Sequence, residues 1–291
     1  MHVPDGFLDA PTSIATGAVA VVAVGVALRG ARRELDDKTA PLAGLVAAFV
    51  FATQMLNFPV GAGTSGHLMG GALAAVLVGP WTGVLCVSVV LIVQSLLFAD
   101  GGITALGTNI LLMAVTTVVV GWFVSRVLIK VLPKRVGVVA PAAAIGAFIS
   151  VPAAAAVFTA LYAVGGTADI SLTTLTTAML GWHTVIGLGE GVITFLAVGA
   201  ILSVRPDLVY AARGVIAERD LVIKPKETTG VRSSGETTGA RSSGETTGAR
   251  SSGELARPLA PSEGVTARSA ELARPLAPSE GVTERSEETV A

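Results

Sequence analysis

The chain has 291 residues, 52% hydrophobic and 14% charged, with a formal net charge of −1 and a mean hydropathy of +0.71. That balance is the signature of a polytopic membrane protein embedded in a lipid bilayer, and without a basic excess it excludes nucleic acid as a partner. A single cysteine, Cys86, rules out an internal disulfide and reads as a buried packing residue.

The N-terminal stretch Met1-His2-Val3-Pro4-Asp5-Gly6-Phe7 reads as a metal ligand. A free terminal amine, the amide nitrogen of His2 and its imidazole close two fused chelate rings, putting three nitrogens near one plane. Such a set suits late first-row ions such as Ni(II) or Cu(II), with Co(II) also accommodated. Pro4 biases Val3 to an extended conformation just beyond the chelate. The stretch has no basic n-region and no small-residue cleavage site follows, so Met1 is the expected mature terminus. A fourth nitrogen has few sources, since the only other histidines are His67 and His183.

Crossing the hydrocarbon takes about 20 apolar residues. Candidate spans run over Ala10–Leu28, Pro41–Phe58, His67–Gly79, Trp81–Phe98, Leu106–Leu128, Val138–Val164 and His183–Val204. This gives about seven transmembrane helices in an all-α fold. The short His67–Gly79 segment is either a tilted span or half of a re-entrant hairpin with Trp81–Phe98. Ahead of Arg205 the basic residues fall in two clusters, Arg29 to Lys38 and Arg126 to Arg135, while the loops at 59–66, 99–105 and 165–182 have none. The positive-inside rule then puts the N-terminus outside and the C-terminus in the cytoplasm.

Beyond residue 220 the composition changes. Residues 227–235 recur at 236–244 and 245–253, and residues 254–270 recur at 271–287, all rich in Ser, Thr, Gly, Glu and Arg. Such repeats cannot bury enough apolar surface to fold. The chain therefore divides into a membrane-embedded domain, 1–220, and a disordered cytoplasmic tail, 221–291.

This topology gathers all three histidines at the outer face. His67 follows a loop with three glycines, Gly61, Gly63 and Gly66, that allow close backbone approach. His183 opens the last span beside Trp182, as a ligand or as a group orienting the site. Glu190 lies about two turns deeper and must face protein, as a transport-path group or as hydrogen-bonded helix glue. Asn109 and Gln94 read as interhelical hydrogen bonders, and Asp100 as a turn residue. The Ala43–Ala47 spacing offers a small-residue face for close helix packing, within the bundle or against a partner.

Met1-His-Val-Pro-Asp-Gly-Phe-Leu8, Gly63-Thr-Ser-Gly-His-Leu-Met-Gly-Gly71, Leu97-Phe-Ala-Asp-Gly-Gly-Ile-Thr-Ala-Leu-Gly-Thr-Asn109 and Gly181-Trp-His-Thr-Val-Ile-Gly-Leu-Gly-Glu190 resemble the CbiM/NikM family. These are the substrate-binding membrane subunits of energy-coupling-factor transporters for cobalt and nickel, and the resemblance covers residues 1 to about 216. It implies a seven-helix bundle whose external N-terminus inserts back into the helices. It implies that Met1, His2 and His67 hold Co2+ or Ni2+ as transported substrate, with no organic cofactor. It further implies a coupling subunit (CbiQ/NikQ-like), an ATPase (CbiO/NikO-like), a small membrane subunit (CbiN/NikN-like), a bacterial plasma-membrane location and a link to cobalamin biosynthesis. No phosphate-binding Gly-x4-Gly-Lys-Ser/Thr motif is present, so the energy must come from a partner. The competing reading is an enzyme. Gly63-Thr-Ser65-Gly66 also matches the nucleophile setting of a rhomboid-like intramembrane protease, with His183 as base, but that leaves Met1-His2 and His67 without a role.

Overall fold

The computed structural model describes residues 2–36, 39–56, 58–61 and 64–216. The repeat tail, including the proposed boundary at 220, lies outside the described residues. The described residues all belong to one compact unit, Met1–Ile223.

Helix α1 spans Ala10–Ala31, with the Asp9 carboxylate accepting the Thr12 N–H at 2.9 Å and Pro11 in its first turn. Helix α2 (Thr39–Gln54) is shorter than its apolar run. It gives way to an antiparallel ribbon, β1 (Phe58–Gly61) and β2 (Thr64–Gly66), with Phe58 opposite Gly66. The all-α expectation thus needs one correction, because backbone pairing across the glycine-rich turn replaces the last turn of the predicted second span.

The His67–Gly79 segment is helical only in α3 (Gly71–Val78). Eight residues of helix rise about 12 Å, well short of the roughly 30 Å hydrocarbon core. All eight are buried. Gly79, at φ +100°, turns the chain directly into α4 (Pro80–Leu97), and the pair forms a tight hairpin. A Cβ at Gly83 would stand 2.9 Å from the Ala75 nitrogen, so the glycine is what lets the two arms close.

The next span begins as α5 (Leu106–Asn109), widens into a π-helical stretch (Ile110–Thr116) and continues as α6 (Thr117–Val131). Helices α7 (Val139–Gly165) and α8 (Leu172–Val204) then pack along one another. Gly187 lets them approach, since a Cβ there would lie 2.7 Å from the Phe148 carbonyl oxygen. Helix α8 starts well before the predicted His183, because Ser171 accepts the Thr174 N–H at its N-cap. The threonines that read as loop are in the helix, and their hydroxyls bond carbonyls one turn back, as Thr177 does to Thr173 and Thr184 to Leu180.

Among the described residues, five helical segments are long and apolar enough to cross a membrane: Ala10–Ala31, Pro80–Leu97, Leu106–Val131, Val136–Gly165 and Leu172–Val204. Their outer faces carry exposed Ile14, Val21, Phe123, Leu188 and Leu196, the arrangement of a bundle solvated by lipid. One end of the bundle gathers basic and aromatic groups. Trp81 lies against Gly30, Arg126 stacks over Trp122, Arg213 over Tyr210, and Glu34 accepts the N–H of Thr82. The opposite end holds the N-terminal segment and the histidines.

Candidate metal centre

The polypeptide ahead of α1 does not fray. His2 is 7% exposed and Val3 1%, and Phe7 stacks on Phe158 and Tyr162 of α7. Leu8 bridges to Gly166, and Asp9 N–H donates to the Gly165 carbonyl at 2.7 Å. On the other side the loop 99–104 cradles the segment. Gly102 N–H donates to the Val3 carbonyl at 3.0 Å, and Thr104 N–H to the Asp5 carboxylate at 2.7 Å. A Cβ at Gly102 would fall 2.4 Å from the Asp5 nitrogen, and Gly101, at φ +90°, leaves room for the His2 ring. Asn109 completes the cradle, accepting the Val3 N–H at 2.8 Å through Oδ1 and donating to the Val3 carbonyl at 3.2 Å through Nδ2.

Within this cradle the His2 and His67 rings stack with centroids 4.4 Å apart. His2 Nε2 lies 3.3 Å from Gln94 Oε1, and Nδ1 lies 3.1 Å from Asp100 Oδ1. Both facing oxygens, Gln94 Oε1 and the Asp100 carboxylate, can only accept, so the ring can donate to either. Nδ1 is the atom that closes the six-membered ring of the predicted chelate, and it faces the Asp100 carboxylate. A positive charge between Nδ1 and the Asp100 carboxylate satisfies both. His67, fully buried, donates from Nδ1 to the Leu68 carbonyl at 2.7 Å, which puts its lone pair on Nε2. Burial, with the nearby His2 and His183 adding to it, holds His67 well below its ordinary pKa of 6.5, and burial lowers His2 as well. Burial therefore favours the neutral form of both rings.

His67 is presented by backbone clamped from two sides. Glu190 of α8 accepts the Met69 N–H at 2.7 Å and the Gly70 N–H at 3.0 Å, while Gln54 of α2 donates to the Met69 carbonyl at 2.7 Å. Glu190 thus serves as the N-terminal anchor of α3, a backbone-holding role close to the glue reading rather than a bond between helix side chains.

His183 does not open the last span; it sits about three turns inside α8. It is fully buried, with Nδ1 donating to the Met179 carbonyl at 2.8 Å. Ser65 lies in β2, with its side chain outside the described residues, as is Met1. Ala43 and Ala47 are half-buried and pack against the core, where the Ala43 carbonyl accepts from Cys86 Sγ at 3.4 Å. The exposed small residues of α2 are Ala40, Gly44, Ala48 and Ala52. Sequence reasoning passed over Gln54 and took Asp100 for a turn residue. A polar residue closing an otherwise apolar run was the available signal for Gln54. For Asp100 it was the two glycines that follow.

Residues 2–208 match a family model described as the cobalt uptake substrate-specific transmembrane region. Among similar proteins, one from Haloquadratum walsbyi carrying a metal-transport name is 40% identical over 210 residues, 72% of this chain and 94% of the relative. The cobalt transport protein CbiM of Sorangium cellulosum is 35% identical over 216 residues, again 72% and 94%. The crystal structure of a truncated transition-metal transporter superposes with a TM-score of 0.64 at 32% identity, covering 70% of this chain and 99% of that one. These relatives are transport proteins, and nothing among them favours the protease alternative. The chain belongs to the CbiM/NikM family of cobalt and nickel transport membrane components, as a multi-pass cell-membrane protein.

Proposed function

We propose that this chain is the substrate-capturing subunit of an ATP-driven energy-coupling-factor importer of Co2+ or Ni2+. The ion is held at the outer face by the Met1 amine, the His2 amide and Nδ1, and His67 Nε2. The observation that carries this reading is the buried stack of His2 on His67, two histidines remote in sequence, with the His67 lone pair on Nε2. With the amide deprotonated, the Asp100 carboxylate supplies the second negative charge that neutralises a divalent ion in an apolar surround.

The basic end of the bundle is cytoplasmic and the N-terminus external, with residues 1–220 forming the transporter domain and 221–291 a solvated tail. Without an ATP-binding motif of its own, the subunit works with a coupling membrane subunit, an ATPase and a small CbiN/NikN-like membrane subunit. Cobalt taken up this way feeds cobalamin synthesis. ATP-driven reorientation of the subunit releases the ion inward.

The test is the metal content of the purified chain beside a version with one Ala inserted between Met1 and His2. Near-stoichiometric cobalt or nickel in the parent and its loss on insertion are expected. Equal retention in both would refute the chelate.

A further inference from the structure

The end of the bundle opposite the histidines holds a pocket of about 310 Å³ between the end of α1, the start of α4 and Tyr210. Small-molecule sites run from roughly 300 to 1,000 Å³. Helix α1 brings Arg29 from its last turn and Arg33 from just beyond it. Both are exposed, and among the described residues neither forms an ion pair.

The carboxylate in the pocket does not neutralise them. Glu34 is buried, and its two oxygens accept the Trp81 N–H at 3.3 Å, the Thr82 N–H at 2.7 Å and the Thr82 hydroxyl at 3.0 Å. Its charge is spent on the first turn of α4. Asp36 and Asp207, at the same end, pair with Arg213 and Arg205 at 3.6 and 2.8 Å. The aromatic walls are fixed as well. Trp81 lies on Gly30, where a Cβ would fall 2.3 Å from the indole. Tyr210 meets the Trp122 ring at 5.6 Å and the Arg213 guanidinium at 4.9 Å. One turn deeper along α1 than Arg29, Val26 lines the same pocket and, like Trp81, is 43% exposed. Over about 4.5 Å of helix the lining passes from cationic to apolar, as a membrane passes from headgroup to acyl chain.

We propose that this pocket binds the phosphate of an anionic phospholipid. Arg29 and Arg33 hold the phosphodiester oxygens, for which the guanidinium fork is suited. Val26 and Trp81 carry the glycerol end and the first methylenes, and Trp81 and Tyr210 stand at the headgroup level that such rings favour. Free phosphate shares the charge but leaves Val26 and the exposed indole without a role. A lipid held here ties the end of α1 to the start of α4.

The test follows the melting midpoint of the full-length chain in nonionic detergent. Dioctanoyl-phosphatidylglycerol, dioctanoyl-phosphatidylcholine and inorganic phosphate are titrated separately, since a ligand of the folded state raises that midpoint in proportion to its affinity. The parent is compared with Arg29→Gln/Arg33→Gln and with Lys134→Gln/Arg135→Gln, which removes the same charge at the same end but outside the pocket. All four residues are exposed, so the helical circular dichroism of both variants should match the parent. Phosphatidylglycerol should stabilise the parent saturably and well beyond the other two probes. Its apparent affinity should fall about tenfold or more in Arg29→Gln/Arg33→Gln and stay within about threefold in the control. Equal affinity in parent and pocket variant would overturn the proposal, as would an equal loss in the control, which would assign the effect to overall surface charge. Inorganic phosphate or phosphatidylcholine acting as strongly as phosphatidylglycerol would overturn the anionic-lipid assignment.

Discussion

Asn109→Leu isolates one hydrogen bond in the cradle. The side chains are close in size, Asn109 is 1% exposed, and the change removes both bonds to Val3. The Val3 carbonyl keeps its donor, because Gly102 N–H already reaches it at 3.0 Å. The Val3 N–H keeps nothing, and Val3 is itself 1% exposed. One orphaned buried donor costs about 1–3 kcal/mol. That cost falls on docking of the N-terminal segment, and docking is required for His2 to meet His67. At the middle of the range, metal affinity drops about thirtyfold, since each 1.4 kcal/mol is tenfold. A competition titration of Ni(II) against a chelator of known affinity, run on the detergent-solubilised chain, measures this directly. Thr104→Val, in the same loop but at an exposed bond to Asp5, serves as the control and should stay within about threefold. An Asn109→Leu affinity within twofold of the parent would refute the cradle argument.

Gly102→Ala places a methyl 2.4 Å from the Asp5 nitrogen and carboxylate, so the N-terminal segment should be expelled; metal retention on purification should be lost while the helical circular dichroism stays. Glu190→Leu strands the Met69 and Gly70 N–H groups, and a loss of about 2 kcal/mol or more should appear as a lower melting temperature together with weaker metal binding. The pH dependence follows from His2. Burial lowers its pKa below 6.5 in the docked state, so the docked state binds fewer protons than the free segment. Docking of the metal-free chain is then fully present above pH 6.5 and weakens as pH falls below it. Hydrogen exchange at Val3 and Asp9, whose N–H groups bond Asn109 and Gly165, should speed up on acidification in the parent and lose that dependence in His2→Gln.

The long apolar helices were readable because a lipid-facing bundle is hydrophobic on every side, and composition alone finds such segments. His2 and His67 were readable because histidines are scarce in this chain and a His beside a free amine has distinctive chemistry. The start of α8 was not, because threonine is polar by type yet satisfies itself on its own helix, as Thr177 and Thr184 do. Nor were Gln54, Asp100 and the backbone role of Glu190, whose partners are remote in sequence and leave no local periodicity. The spacing of Ala43 and Ala47 left two readings open, packing within the bundle or against a partner, for a related reason. A small-residue spacing says that something approaches closely, and α4 is what approaches.

The docked segment also bears on how the protein comes into being. Residues 2–9 are made before all of their partners, which are Gln94, Asp100, Gly102, Asn109 and, latest of all, the Gly165–Thr167 turn that takes hold of Phe7, Leu8 and Asp9. The clamp on Met69 waits longer still, for Glu190. Residues 2–9 are therefore made early and placed late, and loop closure over so much intervening chain makes that step a slow one. During synthesis the segment must wait until α7 is in place, so a chain truncated before α7 would present an N-terminal segment without its Gly165–Thr167 partners.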